Sequence, residues 1–95
     1  MEAIKAYEKA LKVLADRTRI TILHRIKQGE MCGCDLIKNL DISQPTLSHH
    51  LKVLSENGFI LGRKDKTKTL YMINEARIDT LFNQFKKLLE SNINC

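Results

Sequence analysis

No run of apolar residues in this sequence approaches the roughly 18 that a membrane span requires, so no membrane partner is expected. The start, Met1-Glu2-Ala3-Ile4-Lys5, alternates charged and apolar residues. An export signal would instead place a basic segment ahead of about 7–15 apolar residues, so the expected compartment is the cytoplasm. Proline occurs once and glycine four times, and there is no internal repeat, low-complexity tract or linker-like stretch, so residues 1–95 read as one continuous domain. With only 95 residues, the chain buries about 60% of its unfolded surface and has little to spare for an enzyme-sized cleft. No catalytic cofactor is therefore expected, and dimerisation is a natural way to gain core. Strands do not alternate with helices as a parallel sheet requires. Histidine is absent from residues 75–91. There are three cysteines, and in a reducing compartment they are expected to be thiols rather than structural disulfides.

What is present is ordinary globular composition, 43% hydrophobic and 28% charged, with a net charge of +5, the balance of a nucleic-acid-binding module. Ile4, Tyr7, Leu11 and Leu14 form one face of a first helix that ends before Asp16. Ile20, Leu23 and Ile26 mark a second helix, which Gly29 closes. Residues 32–40 read as a short third helix with Leu36, Ile37 and Leu40 apolar. After a polar break at Asp41, Ser43 is a good N-cap for a fourth helix running from Gln44 to Glu56. Pro45 is tolerated in its first turn, and Asn57-Gly58 stops it. Two helices joined by so short a connection make a helix-turn-helix.

Leu47, Leu51 and Leu54 give the fourth helix a narrow buried stripe. Its exposed start carries Ser43, Gln44, Thr46, Ser48, His49 and Lys52, side chains suited to base edges and phosphates. Beyond Gly58 the period changes, and residues 59–64 and 68–73 read as strands around Asp65-Lys66-Thr67. This hairpin would be a wing, with Arg63, Lys64, Lys66 and Lys68 opposed only by Asp65 where DNA phosphates would lie. Ile78, Leu81, Phe82, Phe85, Leu88 and Leu89 give a last helix an apolar face wider than one thin domain needs. With the first helix, that surplus reads as a homodimer interface. The expected fold is thus mainly α with a β-hairpin, a winged helix-turn-helix in the order α-α-α-α-β-β-α.

The segment Ser43-Gln44-Pro45-Thr46-Leu47-Ser48-His49-His50-Leu51-Lys52-Val53-Leu54, followed by Asn57-Gly58 and the hairpin, closely resembles the ArsR/SmtB family of metal- and metalloid-responsive repressors. The resemblance runs over nearly the whole chain. The family's effector motif, Cys-x-Cys-Asp-Leu, stands here as Cys32-Gly33-Cys34-Asp35-Leu36. The resemblance implies a homodimer that binds an imperfect palindrome in double-stranded operator DNA and releases it when a thiophilic ion binds. The arsenic-responsive branch often has a third cysteine three residues after the second, and here that position is Ile37. The remaining cysteine, Cys95, lies at the end of the sequence and is a candidate to complete the site.

Thiolates select soft acceptors such as As(III), Sb(III), Cd(II), Pb(II) or Hg(II). With Cys32 and Cys34 as near ligands, an organoarsenical with two exchangeable positions fits as well as arsenite held with Cys95. On a helix, residues i and i+2 lie about 200° apart, so both sulfurs are expected to grip one ion only if the turn distorts, and Gly33 would ease that distortion. A zinc sensor using His and carboxylates on the last helix is disfavoured by the absence of histidine there. His24 reads as a packed histidine, His50 as half-buried at the edge of the leucine stripe and His49 as exposed. Competing readings are a Cd/Pb sensor, a thiol-redox-responsive repressor, a winged helix used only for protein contacts, and a thiol-disulfide oxidoreductase; the last lacks the βαβ setting such pairs usually have.

Overall fold

The computed structural model describes residues 2–90. Along the chain run α1 (Glu2–Leu14), α2 (Arg17–Ile26), β1 (Met31–Cys32), α3 (Gly33–Leu36, continued by a 3-10 turn over Ile37–Asn39), α4 (Gln44–Glu56), β2 (Ile60–Asp65), β3 (Lys68–Ile73) and α5 (Glu75–Glu90). The winged helix-turn-helix expected from the sequence is present, with one addition. A two-residue strand, β1, joins the hairpin, so the sheet has three antiparallel strands in the order β1-β3-β2.

The helices begin where local chemistry starts them. Asp16 caps α2, its carboxylate accepting the Arg19 amide at 3.0 Å. Ser43 caps α4, its Oγ accepting the Thr46 amide at 3.3 Å, and Pro45 sits in the first turn, where no intrahelical donor is lost. Gly58 takes φ +79° immediately after α4, a left-handed conformation that glycine adopts without a Cβ clash. Phe59 follows, fully buried, with the Arg77 guanidinium 4.9 Å above its ring.

The core lies between α2, α4 and the inner ends of the strands. Ile22, Ile26, Leu36, Leu54, Phe59, Ile60 and Leu81 are its most enclosed side chains. The leucine stripe of α4 is buried as the period required. On α1 the buried residues are Ala10 and Val13, with Tyr7 and Leu14 against them and Ile4 exposed. On α2, Ile22 takes the core position that periodicity gave to Ile20, which faces solvent. The third helix is shorter than expected, because only Leu36 of its apolar residues is fully buried and the chain tightens into a 3-10 turn after it. The hairpin turn is also tighter: Asp65 pairs with Lys68, leaving Lys66 and Thr67 as a two-residue turn with Lys66 at φ +61°. His24 is exposed rather than packed.

Only Leu81 of α5 is fully buried, while Phe82 (47%) and Leu89 (70%) stand largely exposed. Phe85 meets Tyr7 edge-on at 6.0 Å, so α1 and α5 lie side by side. The Cα radius of gyration, 15.3 Å, exceeds the roughly 12 Å of a compact chain this long. No helix among the described residues is long and apolar enough to cross a membrane.

Candidate nucleic-acid interface and thiol site

The thiol segment begins in the sheet. Met31 pairs with Tyr71 and Cys32 with Leu70, which fixes Cys32 in an extended conformation (φ −81°, ψ 163°) as the N-cap of α3, where its Sγ accepts the Asp35 amide at 3.3 Å. Cys32 is therefore outside the helix and Cys34 inside it. The expected 200° separation does not arise, and the two sulfurs converge without any unwinding. They are joined as a disulfide, with an S–S distance of 2.00 Å, in place of the free thiols expected from the compartment. A disulfide sulfur has no thiolate to offer a soft ion, so ligation requires the reduced pair. Gly33 is not in the left-handed region, and its part in easing a distortion falls away with the distortion.

Sequence reasoning passed over Asp35. One ligand atom from each of Cys32, Cys34 and Asp35 falls within a 4.8 Å cluster, although the Asp35 carboxylate also lies 3.5 Å from Lys38 Nζ. Its position directly after Cys34 was the available signal. Ile37, at the place of the absent third cysteine, begins the 3-10 turn half-buried. Cys95 lies outside the described residues.

Gln44, Thr46, Ser48, His49 and Lys52 are all exposed on the first turns of α4. Ser43 is exposed too, but its hydroxyl is engaged, donating to Thr46 Oγ1 at 2.9 Å as well as capping the helix. His50 is half-buried, and its Nδ1 accepts from Arg19 Nε at 3.0 Å. That bond ties α2 to the middle of α4.

On the wing, Lys64, Lys66 and Lys68 are exposed and form no ion pair among the described residues. Arg63 differs. Its Nε and Nη2 donate to the two carboxylate oxygens of Glu30 at 2.7 and 3.0 Å. This two-pronged bond holds the Glu30 carboxyl below its ordinary range and raises the guanidinium further. Counting Glu30, the wing sets four cations against two anions, a weaker positive patch than the hairpin alone suggested. The thiol segment, α4 and the wing tip enclose a cleft of about 320 Å³. Cys32, Cys34, Gln44, Ser48 and Lys68 are among the residues that line it.

Residues 16–60 match the family described as bacterial regulatory protein, arsR family. The chain is 40% identical over 91 residues to the arsenical resistance operon repressor of Staphylococcus aureus, an alignment that covers 96% of this chain and 88% of that one. The chain belongs to the ArsR family.

An ArsR-family chain is a DNA-binding transcriptional regulator and not an enzyme. A more distant relative is a cadmium resistance transcriptional regulatory protein of Listeria innocua serovar 6a, 35% identical over 68 residues, which are 70% of this chain and 57% of that one. The fold also matches a homodimeric winged helix-turn-helix domain of Mycobacterium bovis, described as a possible ArsR-family regulator. That match has a TM-score of 0.73 at 22% identity and covers 98% of this chain and 86% of that one. Within this ArsR-family architecture, the interface candidates Gln44, Thr46, Ser48, His49 and Lys52 stand exposed on α4, and Lys64, Lys66 and Lys68 stand exposed on the wing without an ion pair among the described residues. Arg63 is set apart by Glu30.

Proposed function

We propose that this protein is a cytoplasmic repressor that binds a palindromic operator as a homodimer and releases it when the reduced thiols of Cys32 and Cys34 take up trivalent arsenic or antimony. The observation that carries this reading is the shared cleft: the cysteine pair opens onto the same space as Gln44, Ser48 and Lys68, so a ligand held by the sulfurs lies at the surface that would meet DNA. The bases would be read by Gln44, Thr46, Ser48 and His49. Ser43 orders the first turn, and Lys52, Lys64, Lys66 and Lys68 contact phosphates. Arg63 joins them only when Glu30 lets it go. The dimer forms through α1 and α5, whose exposed Ile4, Phe82 and Leu89 need covering. Soft thiolate donors suit Cd(II) or Pb(II) as well, and Cys95 is a candidate third ligand.

The test is a gel shift on the protein's own upstream fragment at two salt concentrations, under a phosphine reductant, with arsenite, antimonite, Cd(II) and Pb(II) titrated in. Saturable binding that prefers the promoter over random DNA and weakens with salt is expected, and arsenite or antimonite should release it. Loss of release in a Cys32→Ser, Cys34→Ser double variant assigns the thiols. Undiminished arsenite release in Cys95→Ser removes the third thiol from the site. No specific binding at either salt would end the repressor reading.

A second reading rests on the Cys32–Cys34 disulfide, which supports thiol oxidation as the signal. Under that reading an oxidant releases DNA, a reductant restores binding, and arsenite has no effect on the reduced protein.

A further inference from the structure

We infer that Arg19 is a positioning residue for DNA recognition: its guanidinium ties the end of α1 to the middle of α4 and so sets the separation at which a dimer holds its two recognition helices. This rests on the reading given above of a homodimer, joined through α1 and α5, on a palindromic operator. Arg19 acts through His50 rather than by touching DNA.

Three hydrogen bonds converge on this residue. Arg19 Nε donates to His50 Nδ1 at 3.0 Å, across 31 positions of sequence. Arg19 Nη1 donates to the Val13 carbonyl at 3.2 Å. That carbonyl lies in the last turn of α1, where acceptors lack an intrahelical donor and a cation meets the negative end of the helix dipole. The Arg19 amide donates to the Asp16 carboxylate that caps α2, so the side chain leaves from an ordered first turn. Arg19 and His50 are both half-buried, and a hydrogen bond from a charged donor is stronger there than one between neutral groups at an exposed surface.

A second arginine holds the far end of α4. Arg77 of α5, whose amide is accepted by Asn74 Oδ1 at 3.3 Å, donates from Nε to the Asn57 carbonyl at 3.2 Å, just past the last turn of α4. The recognition helix is thus tied to both proposed dimer helices, to α1 at His50 and to α5 at Asn57. Its buried stripe, Leu47, Leu51 and Leu54, settles which face turns inward. Apolar burial is non-directional, however, and leaves slide and tilt to the hydrogen bonds, which are directional. With the tie at His50 gone, α4 keeps its anchor at Asn57, and the turns that carry Gln44, Thr46, Ser48 and His49 gain freedom to swing about it. Each subunit swings independently, so the separation of the two helices loses definition and wrongly spaced half-sites become tolerable.

The experiment measures tolerance of spacing, a ratio that loss of folded protein leaves unchanged because it lowers every apparent affinity alike. The full chain, under a phosphine reductant, is titrated by fluorescence anisotropy onto its footprinted operator and onto copies with one base pair added or removed at the centre, each shifting the half-sites by about 3.4 Å. Wild type should prefer the native spacing about tenfold, the scale of one mismatched base pair. Arg19→Met and His50→Leu should each cut that preference to about twofold or less, and the double variant no further, because both remove the same bond. His50→Gln keeps an acceptor and should restore most of the preference. Thermal melts establish folding, and the single variants approach the bond from opposite sides, so one folded variant suffices. Full preference in a folded Arg19→Met or His50→Leu, or a His50→Gln as tolerant as His50→Leu, would overturn the inference. So would a wild type that binds its promoter specifically yet equally well at every spacing. Absence of specific binding brings down the repressor reading itself, and the inference with it.

Discussion

Glu30 and Arg63 stand 33 residues apart in sequence, yet two hydrogen bonds join them. An exposed ion pair stabilises a fold little; its effect here is on where a cation points. Glu30→Gln should free Arg63 for a phosphate, tightening DNA binding and steepening the dependence of log affinity on log salt by about 0.9, one extra phosphate contact. Fluorescence anisotropy across a salt series measures this, and an unchanged slope would show that Arg63 stays bound to the neutral amide. Asp16 makes a different case. The Arg19 amide it accepts holds its carboxyl below the ordinary range, against a smaller opposing effect of burial. A carboxyl depressed in the folded state stabilises the protein at pH values above the ordinary carboxylate range, and that contribution is lost as pH falls through its lowered folded value. Asp16→Ala should therefore cost about 1 kcal/mol at neutral pH, and the difference from wild type should shrink in urea melts taken below about pH 4. Caps such as Asp16 and Ser43 lie within a few residues of what they bind, so Ser43 could be read directly from the sequence. The Glu30–Arg63 pair could not, because only the folded sheet brings its members together.

At the scale of elements, period was a good guide where one face alone is buried. The stripe Leu47, Leu51 and Leu54 on α4 lies as spacing placed it, and Leu54, with no exposed surface, should lose about 2–5 kcal/mol as Leu54→Ala in chemical denaturation. Period misled on α1, where apolar residues serve two surfaces. Ala10 and Val13 face the core while Ile4 faces outward, and a single face drawn through Ile4 and Leu11 mixes the two. Strand β1 carries almost no signal of its own. Two residues show no alternation, and their strand character comes from pairing with Tyr71 and Leu70. The placement of Cys32 outside the helix depended on that strand, which is why the sulfurs were expected to diverge and instead converge.

For the whole molecule, the apolar surplus of α5 was visible in the sequence, and the exposure of Phe82 and Leu89 gives it a location. Leu89→Asp should leave the monomer's core intact, since Leu89 is 70% exposed, but should place charge in the proposed α1–α5 interface. Sedimentation should then report monomers at concentrations where the wild type is dimeric, and operator affinity should fall steeply, because two recognition helices spaced about 34–36 Å apart are needed to span successive half-sites. A variant that stays dimeric would place the interface elsewhere. Net charge was legible from the first count, but its distribution was not, since Glu30 lies outside the hairpin and removes one of its four cations.

The short strand that ends in Cys32 ties the thiol segment to the wing. Met31 and Cys32 are paired to the same strand that carries the wing's return, so their main-chain amides and those of residues 68–73 are expected to exchange together. Deuterium uptake would thus slow or quicken at both places together when the sulfurs change state, and a probe on the hairpin would report chemistry at the thiols without touching them.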